Sequence, residues 1–465
     1  MHNNFKKNTW REFQTELKKN SRKKRSVVKY GKAAGIVAAL LFIFYVTGSG
    51  GIDFFNPGPQ KENSRADACS TDSTRKADKT DRLFTNEDLQ TLSAAQSFIN
   101  IRKKTLTVKY NNSMVEVETS LDIPLQTYIL SQLEHLKTLT RGKPQRIGIV
   151  AMDPHSGAIL AMAGFDLSDP RMNTCVVGNY PAASIFKIVT AAAAIEQCGY
   201  TPRTPLYFNG GKYTLYKRQI SEKKNRYTNK VSFSRAFADS INPVFGKISS
   251  LYLGGDILKQ YADSFGFNNT VLTDLCFETG SVVITDKSYQ WAEVGCGFNK
   301  TTTISPLFAA MVTSTIVNSG TRTIPWIVRQ IKDPQGNLIY QKKPCTTPRA
   351  VQEKTAHTIM ELMNETIQTG TASKSFRGFK RDTTLSRLSL GGKTGSLYNR
   401  SHTVKYDWFT GFGREKNGDR QIAVAVIVGH RKYIGTRACR YGRMIFKQYF
   451  KKYFASQNNN GAQRG

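Results

Sequence analysis

Apolar residues recur along this chain at two spacings, and the switches between them divide it into parts. In TSLDIPLQTYILSQLEHLKTL, residues 119–139, a Ser/Asp start and Pro124 precede apolar positions at helical spacing, which predicts a helix. IGIVAM and AILAMA, residues 147–152 and 158–163, flank the turn Asp153-Pro154-His155-Ser156-Gly157 and predict a β-hairpin. The alanine-rich residues 184–197, opened by Pro181, predict a second helix, and residues 233–265 and 351–369 also read as helical. Near the end, GGKTGS, YDWFTGFG and QIAVAVIVGH read as three strands, the last two joined by the turn GREKNGD, before a closing helix over 437–454. Strands at both ends with helices between them predict an α+β fold whose sheet joins distant parts of the chain. Residues 83–118 are expected to add a helix and a strand, and the tail 456–465 to be disordered.

Ahead of this region lies a different pattern. Residues 33–52 (AAGIVAALLFIFYVT continued by Gly48 to Gly51 and Ile52) carry no charge, a length that spans a bilayer as a helix. Residues 56–82 are polar, rich in Ser, Asp and Lys, and read as a tether. Composition sharpens this. The chain has 465 residues, 67 Lys+Arg against 34 Asp+Glu and a formal charge of +33. Eleven of the basic residues fall in 1–32 with only Glu12 and Glu16 opposing them. Basic residues flank the apolar stretch on its amino side alone, so 1–32 is expected to be a cytoplasmic arm, 33–52 a single transmembrane helix and the rest extracytoplasmic. A cleaved signal peptide and a buried helix are the alternatives; 32 residues ahead of the apolar stretch argue against the first. The position of the arm favours topology over nucleic-acid binding. An exported basic domain favours anionic surroundings such as wall polymers or lipid headgroups. With 39% hydrophobic residues and 15 prolines the chain is no collagen, coiled coil or wholly disordered protein. Six of seven cysteines lie in the expected exported globule and Cys69 in the tether, with connectivity open. No CxxC or His/Cys cluster appears, and no metal or cofactor is expected.

Three short strings carry the chemistry. Ser184-Ile185-Phe186-Lys187 puts a hydroxyl and an ammonium on one helix face. The same S-x-x-K spacing occurs at Ser21, Ser26, Ser73 and Ser221, all in polar stretches, so context has to discriminate. Ser240-Ile241-Asn242 and Lys393-Thr394-Gly395-Ser396 follow in order, the second on an expected strand. Taken singly, Lys187 reads as a surface lysine packed along its stem. Ser240 and Asn242 read as capping a helix near Pro243, and Lys393 to Gly395 as a turn. A serine attacking an amide needs a base in reach, and a lysine serves only if burial and a nearby cation lower its pKa; Lys393 is the candidate cation.

S-x-x-K, S-x-N and K-T-G in this order resemble the penicillin-binding protein transpeptidase family, relatives of the serine β-lactamases. TSLDIPLQ, IGIVAMDPHSGAILAMA, YADSFGFN, GCGFNKTTTISPLFAAM, GTA at 370–372 and DWFTGF look like further landmarks. Tyr180-Pro181-Ala182-Ala183 stands where the family usually has Pro-Gly before the nucleophile. The resemblance implies an antiparallel sheet flanked by helices with an inserted all-helical subdomain, as a transpeptidase domain over 119–455 preceded by a short non-catalytic region, 53–118. It implies Ser184 as nucleophile, Lys187 as base, Ser240 as proton relay and Asn242 as a substrate hydrogen-bonder. Lys393, Thr394 and Ser396 would hold a carboxylate, beside Gly395, and the N–H groups of Ser184 and Ser396 would form the oxyanion hole.

The expected function is a membrane-anchored peptidoglycan D,D-transpeptidase that cross-links stem peptides through a serine acyl-enzyme, similar to the monofunctional class B group. β-Lactams are the expected inhibitors. The resemblance also implies a membrane glycosyltransferase or a divisome or elongasome partner. The alternatives are a D,D-carboxypeptidase or β-lactamase of the same fold, and a non-catalytic β-lactam sensor or scaffold. Tyr398 and Trp408 are expected in core packing, with lining of a groove as the alternative, and His357 and His430 carry no assigned role.

Overall fold

Nearly every residue of QIAVAVIVGH is apolar because its strand, Gln421–His430, lies at the centre of a sheet covered on both faces. The two-residue period is visible in the packing: Ala423, Ala425 and Ile427 enter one core, and Ile422, Val424, Val426 and Val428 the other. The structure is a computed structural model that describes residues 84–462 except Gln96, Leu272 and Thr346. The expected arm, apolar span and tether therefore lie outside the described residues. Among the described residues no helix is long and apolar enough to cross a membrane.

The sheet has five antiparallel strands in the order Leu388–Tyr398, Lys405–Glu415, Gln421–His430, Arg146–Met152, Ile159–Asp166. The last two form the expected hairpin. One face packs on helices Ile123–Thr138 and Ala438–Ala462, through Leu125, Ile129, Leu133, Phe446 and Phe450. Asp122 caps the first of these, accepting from the Leu125 N–H at 3.0 Å, with Pro124 in its first turn. The other face packs on helix Pro306–Val317, whose twelve residues are all buried.

Between Asp166 and Pro306 the chain leaves the sheet and builds a largely helical layer. It is not all-helical as expected. Pro205–Phe208 pairs with Asn229–Ser232, and Tyr180–Pro181 pairs with Thr303–Ile304. These strands are too short, and the hairpin too exposed, to leave an alternating apolar run in the sequence. Residues 233–265 likewise form several pieces rather than one helix: Phe233–Ala238, Asn242–Lys247, a π-helical turn Ile248–Leu253, and Gly254–Ser264. Pro243 lacks the N–H that a continuous helix would aim at the Asp239 carbonyl.

A second sheet corrects the domain boundary expected at 118/119. Thr105–Tyr110 and Ser113–Thr119 pair with each other, and the latter pairs with Val328–Lys332, which pairs with Leu338–Gln341. The boundary falls inside a strand, because helical periodicity begins just after it while the sheet closes with residues far along the chain. Residues 83–118 hold helix Asn86–Ala95 and two strands rather than one. The closing helix runs to Ala462, so residues 456–462 are helical rather than disordered. A helix once anchored by packed residues such as Phe450 and Phe454 propagates where no proline stops it.

Because residues 105–119 pair into this fold, their sheet contributes to its stability. Ile331, buried opposite Val117, should cost roughly 2–5 kcal/mol when cut to Ala. Met114→Ala on the exposed side should stay within about 0.5 kcal/mol. Urea unfolding of the two variants measures the difference.

Candidate active site

The expected helix over 184–197 begins differently. Ala183–Phe186 is a 3-10 turn, and the α-helix proper is Lys187–Cys198. In a 3-10 turn side chains at i and i+3 eclipse, and Ser184 Oγ and Lys187 Nζ stand 2.7 Å apart. The turn is entered through Ala183 at φ +48°, a left-handed conformation for a residue with a Cβ, at the position where the resemblance expects glycine. Such a residue costs about 1–2 kcal/mol and is held by its surroundings. The Ala182 N–H donates to the Thr302 carbonyl at 2.9 Å, and Trp408 Nε1 donates to the Pro181 carbonyl at 2.9 Å. Gly297 lies against it too: a Cβ there would sit 1.9 Å from the Ala183 carbonyl oxygen.

Ser240 shows the same conflict. The Ser240 N–H donates to the Phe237 carbonyl and the Ile241 N–H to the Ala236 carbonyl, both at 3.0 Å, which closes helix Phe233–Ala238 with a Schellman motif. The left-handed residue of that motif is usually glycine; here it is Ser240 at φ +57°. The capping reading and the functional one are both satisfied, the first by backbone and the second by side chain. Ser240 Oγ accepts from Lys187 Nζ at 3.3 Å and from Lys393 Nζ at 3.0 Å.

Lys187 Nζ has two further neighbours: Asn242 Oδ1 at 2.8 Å and the Cys296 carbonyl oxygen at 2.7 Å. Both are pure acceptors. Asn242 Nδ2 donates to the Tyr213 carbonyl at 3.1 Å, which fixes the amide with its oxygen toward the lysine. A neutral amine has two N–H bonds and one lone pair. The two acceptors can take both hydrogens and leave the lone pair for the Ser184 hydroxyl proton.

Lys187 is wholly buried, and burial lowers its pKa to about 8. Lys393 is equally buried, and burial followed by the charge of Lys187 holds it well below the ordinary lysine range. The sequence suggested Lys393 as the cation that depresses Lys187. The structure has burial as the cause at Lys187, and burial followed by the charge of Lys187 as the causes at Lys393.

On strand Leu388–Tyr398, Lys393 and Gly395 share one face. Gly395 is the close neighbour of the Ser184 turn: a Cβ would lie 3.3 Å from Ala183 Cβ and 3.4 Å from Ser184 N. Thr394 points the other way, its hydroxyl 2.6 Å from that of Thr371, while its carbonyl accepts from Lys393 Nζ at 3.0 Å. Ser396 is exposed, and no hydrogen bond among the described residues ties it to the cluster. Trp408 is core, while Tyr398 is 42% exposed. Sequence reasoning missed the Cys296 carbonyl and Thr371, which sit inside quoted landmarks but act through backbone or through a partner that only the fold supplies. Among the described residues no group of His, Cys, Asp and Glu side chains could hold a metal ion.

Comparison with known proteins converges on one family. The family model "Penicillin binding protein transpeptidase domain" matches residues 147–451. A peptidoglycan D,D-transpeptidase PbpA of Mycolicibacterium smegmatis is 25% identical over 323 residues, covering 61% of this chain and 62% of the relative. Stage V sporulation protein D of Bacillus subtilis is 24% identical over 296 residues, covering 61% of this chain and 44% of the relative. The chain thus spans less than two thirds of either relative. The crystal structure of PBPA from Mycobacterium tuberculosis shares the fold, with a TM-score of 0.57 at 23% identity over 71% of this chain and 81% of that one.

The double duty of Ser240 can be separated. Ser240→Gly keeps the left-handed turn and should leave the melting temperature unchanged or higher. It removes the hydroxyl shared by both lysines and should lower acylation by a β-lactam about 10²-fold or more. Stopped-flow acylation with parallel thermal melts reads both.

Proposed function

The chain belongs to the penicillin-binding protein transpeptidase family, and on that premise we propose that it is a peptidoglycan D,D-transpeptidase acting through a serine acyl-enzyme. The observation that carries the reading is the buried amine of Lys187, 2.7 Å from the Ser184 hydroxyl with acceptors for both its hydrogens. In this reading Ser184 Oγ attacks the carbonyl of the penultimate D-alanine of a donor stem peptide, and its proton passes to Lys187 Nζ. The C–N bond then breaks. The leaving D-alanine amine takes a proton through Ser240, which touches both lysines, and the acyl group stays on Ser184. An amine of a second stem peptide attacks the ester, releasing Ser184 and completing the cross-link.

The other assigned residues follow the same logic. Asn242 both orients Lys187 and faces the substrate backbone. Lys393 pairs with the terminal carboxylate, and Gly395, on the same strand face, leaves room for the substrate's carbonyl next to the Ser184 N–H; the hydroxyls of Thr394 and Ser396, on the strand's other face, are the weaker part of the expected carboxylate contact. The start of the 3-10 turn favours the developing oxyanion there. Anchoring by residues 33–52, with the catalytic domain outside the cytoplasmic membrane, is supported by the uncharged stretch behind a basic arm.

A fluorescent penicillin should label the wild type and not Ser184→Ala; label persisting in the variant refutes the nucleophile. The pH dependence has a definite sign. The reactive form is neutral Lys187, so acylation should rise about tenfold per pH unit on the acid side and level off above about 8. A profile already flat from pH 5 upward excludes Lys187 as the base.

A further inference from the structure

We propose that the hairpin of residues 205–232 is a docking surface for an anionic glycan strand beside the Ser184 site. Between strands Pro205–Phe208 and Asn229–Ser232 and on the returning strand stand Lys217, Arg218, Lys223, Lys224, Arg226 and Lys230, all exposed. Among the described residues none of the six forms an ion pair. The one acidic residue of the hairpin, Glu222, already accepts from the Tyr252 hydroxyl at 2.9 Å.

The bases are interleaved with rings. Lys224 lies 3.9 Å over Tyr207, Arg226 lies 4.7 Å over Tyr227, and Arg218 lies 5.5 Å over Tyr216. Tyr213, Tyr216 and Tyr227 are 61%, 53% and 68% exposed, so their rings are presented rather than packed away. The surface is also built. Buried Gln219 accepts from the Thr214 hydroxyl and the Tyr216 N–H, and donates to the Asn209 carbonyl, tying the loop to its base. That base is fastened to the site: Asn242 donates from its N–H to the Lys212 carbonyl at 2.7 Å and from Nδ2 to the Tyr213 carbonyl.

Tyrosine faces pack against the C–H faces of sugar rings, and fixed unpaired cations attract carboxylates hanging from the same chain. A glycan strand carrying acidic peptides offers both. The choice of this polymer rests on the transpeptidase reading above, in which such strands are the substrate. It places the strand along the hairpin while a stem peptide reaches Ser184.

The test compares two fourfold variants of the full chain in detergent. One carries Lys217→Gln, Arg218→Gln, Lys223→Gln and Arg226→Gln; the other removes the same charge elsewhere through Arg431→Gln, Arg440→Gln, Lys451→Gln and Lys452→Gln. Affinity is measured for soluble glycan strands with stem peptides, for anionic phosphatidylglycerol vesicles and for single-stranded polyuridylate. Penicillin acylation of each protein reports on the Ser184 pocket. The expected result is a loss of about tenfold or more in strand affinity for the hairpin variant, within about threefold for the control, with acylation retained. Equal losses in both variants overturn the proposal, as does hairpin-dependent binding of vesicles or polyuridylate without the strands. A wild type that penicillin does not acylate refutes the transpeptidase reading and with it the choice of strand; acylation with equal losses refutes the surface alone.

Discussion

A primary amine held away from water, with an oxygen for each of its hydrogens, is the demand that organises this protein. Lys187 can be wholly buried only because Asn242, the Cys296 carbonyl, Ser184 and Ser240 surround its nitrogen. Each neighbour arrives on a different element. Ser184 comes on a 3-10 turn, Ser240 on a helix terminus, Asn242 at the start of the next helix, and Cys296 from the last turn of helix Ser288–Cys296. Helix ends and turns have unspent carbonyls and bent backbone, which the interior of a helix or strand lacks. The site therefore forms where elements stop.

Stopping them has an energetic consequence. Ala183 and Ser240 both occupy left-handed backbone without being glycine, together about 2–4 kcal/mol of strain. A domain of this size tolerates that because the central sheet is buried on both sides and its neighbours leave no room for relaxation. Trp408, fully buried, holds the Ser184 turn by its Nε1, and Gly297 packs against the Ala183 carbonyl. At Ser240 the strain has a reason in chemistry: glycine would fit the turn better and would bring no hydroxyl. At Ala183 no side-chain function is visible, and the methyl group sits against Gly395.

What the sequence disclosed follows from what is local in it. The central strands and the hairpin before them were legible because apolar runs survive in any long buried strand, and the five clustered residues because their types and order are distinctive. Fusion of 105–119 with 328–341 was not, since sheet pairing between remote segments leaves no periodic trace in either. The helix end near Pro243 was legible, whereas the left-handed backbone at Ser240 was not, since serine gives no sign of a conformation that glycine would announce. The Cys296 carbonyl was invisible in principle: a backbone oxygen has no residue type, and only the fold aims it.

The two lysines set a further condition on when the site is reactive. Both lysine nitrogens contact one buried hydroxyl, Ser240 Oγ, and two positive charges that close would repel. Burial and the charge of Lys187 both disfavour the charged form of Lys393. An incoming carboxylate acts on it the other way. As a counter-ion it favours the charged form of Lys393, and a charged Lys393 disfavours a proton on Lys187. In the proposed reading the anionic end of the substrate then frees the lone pair of Lys187 as the group to be cleaved arrives, a coupling that takes both lysines and the hydroxyl between them.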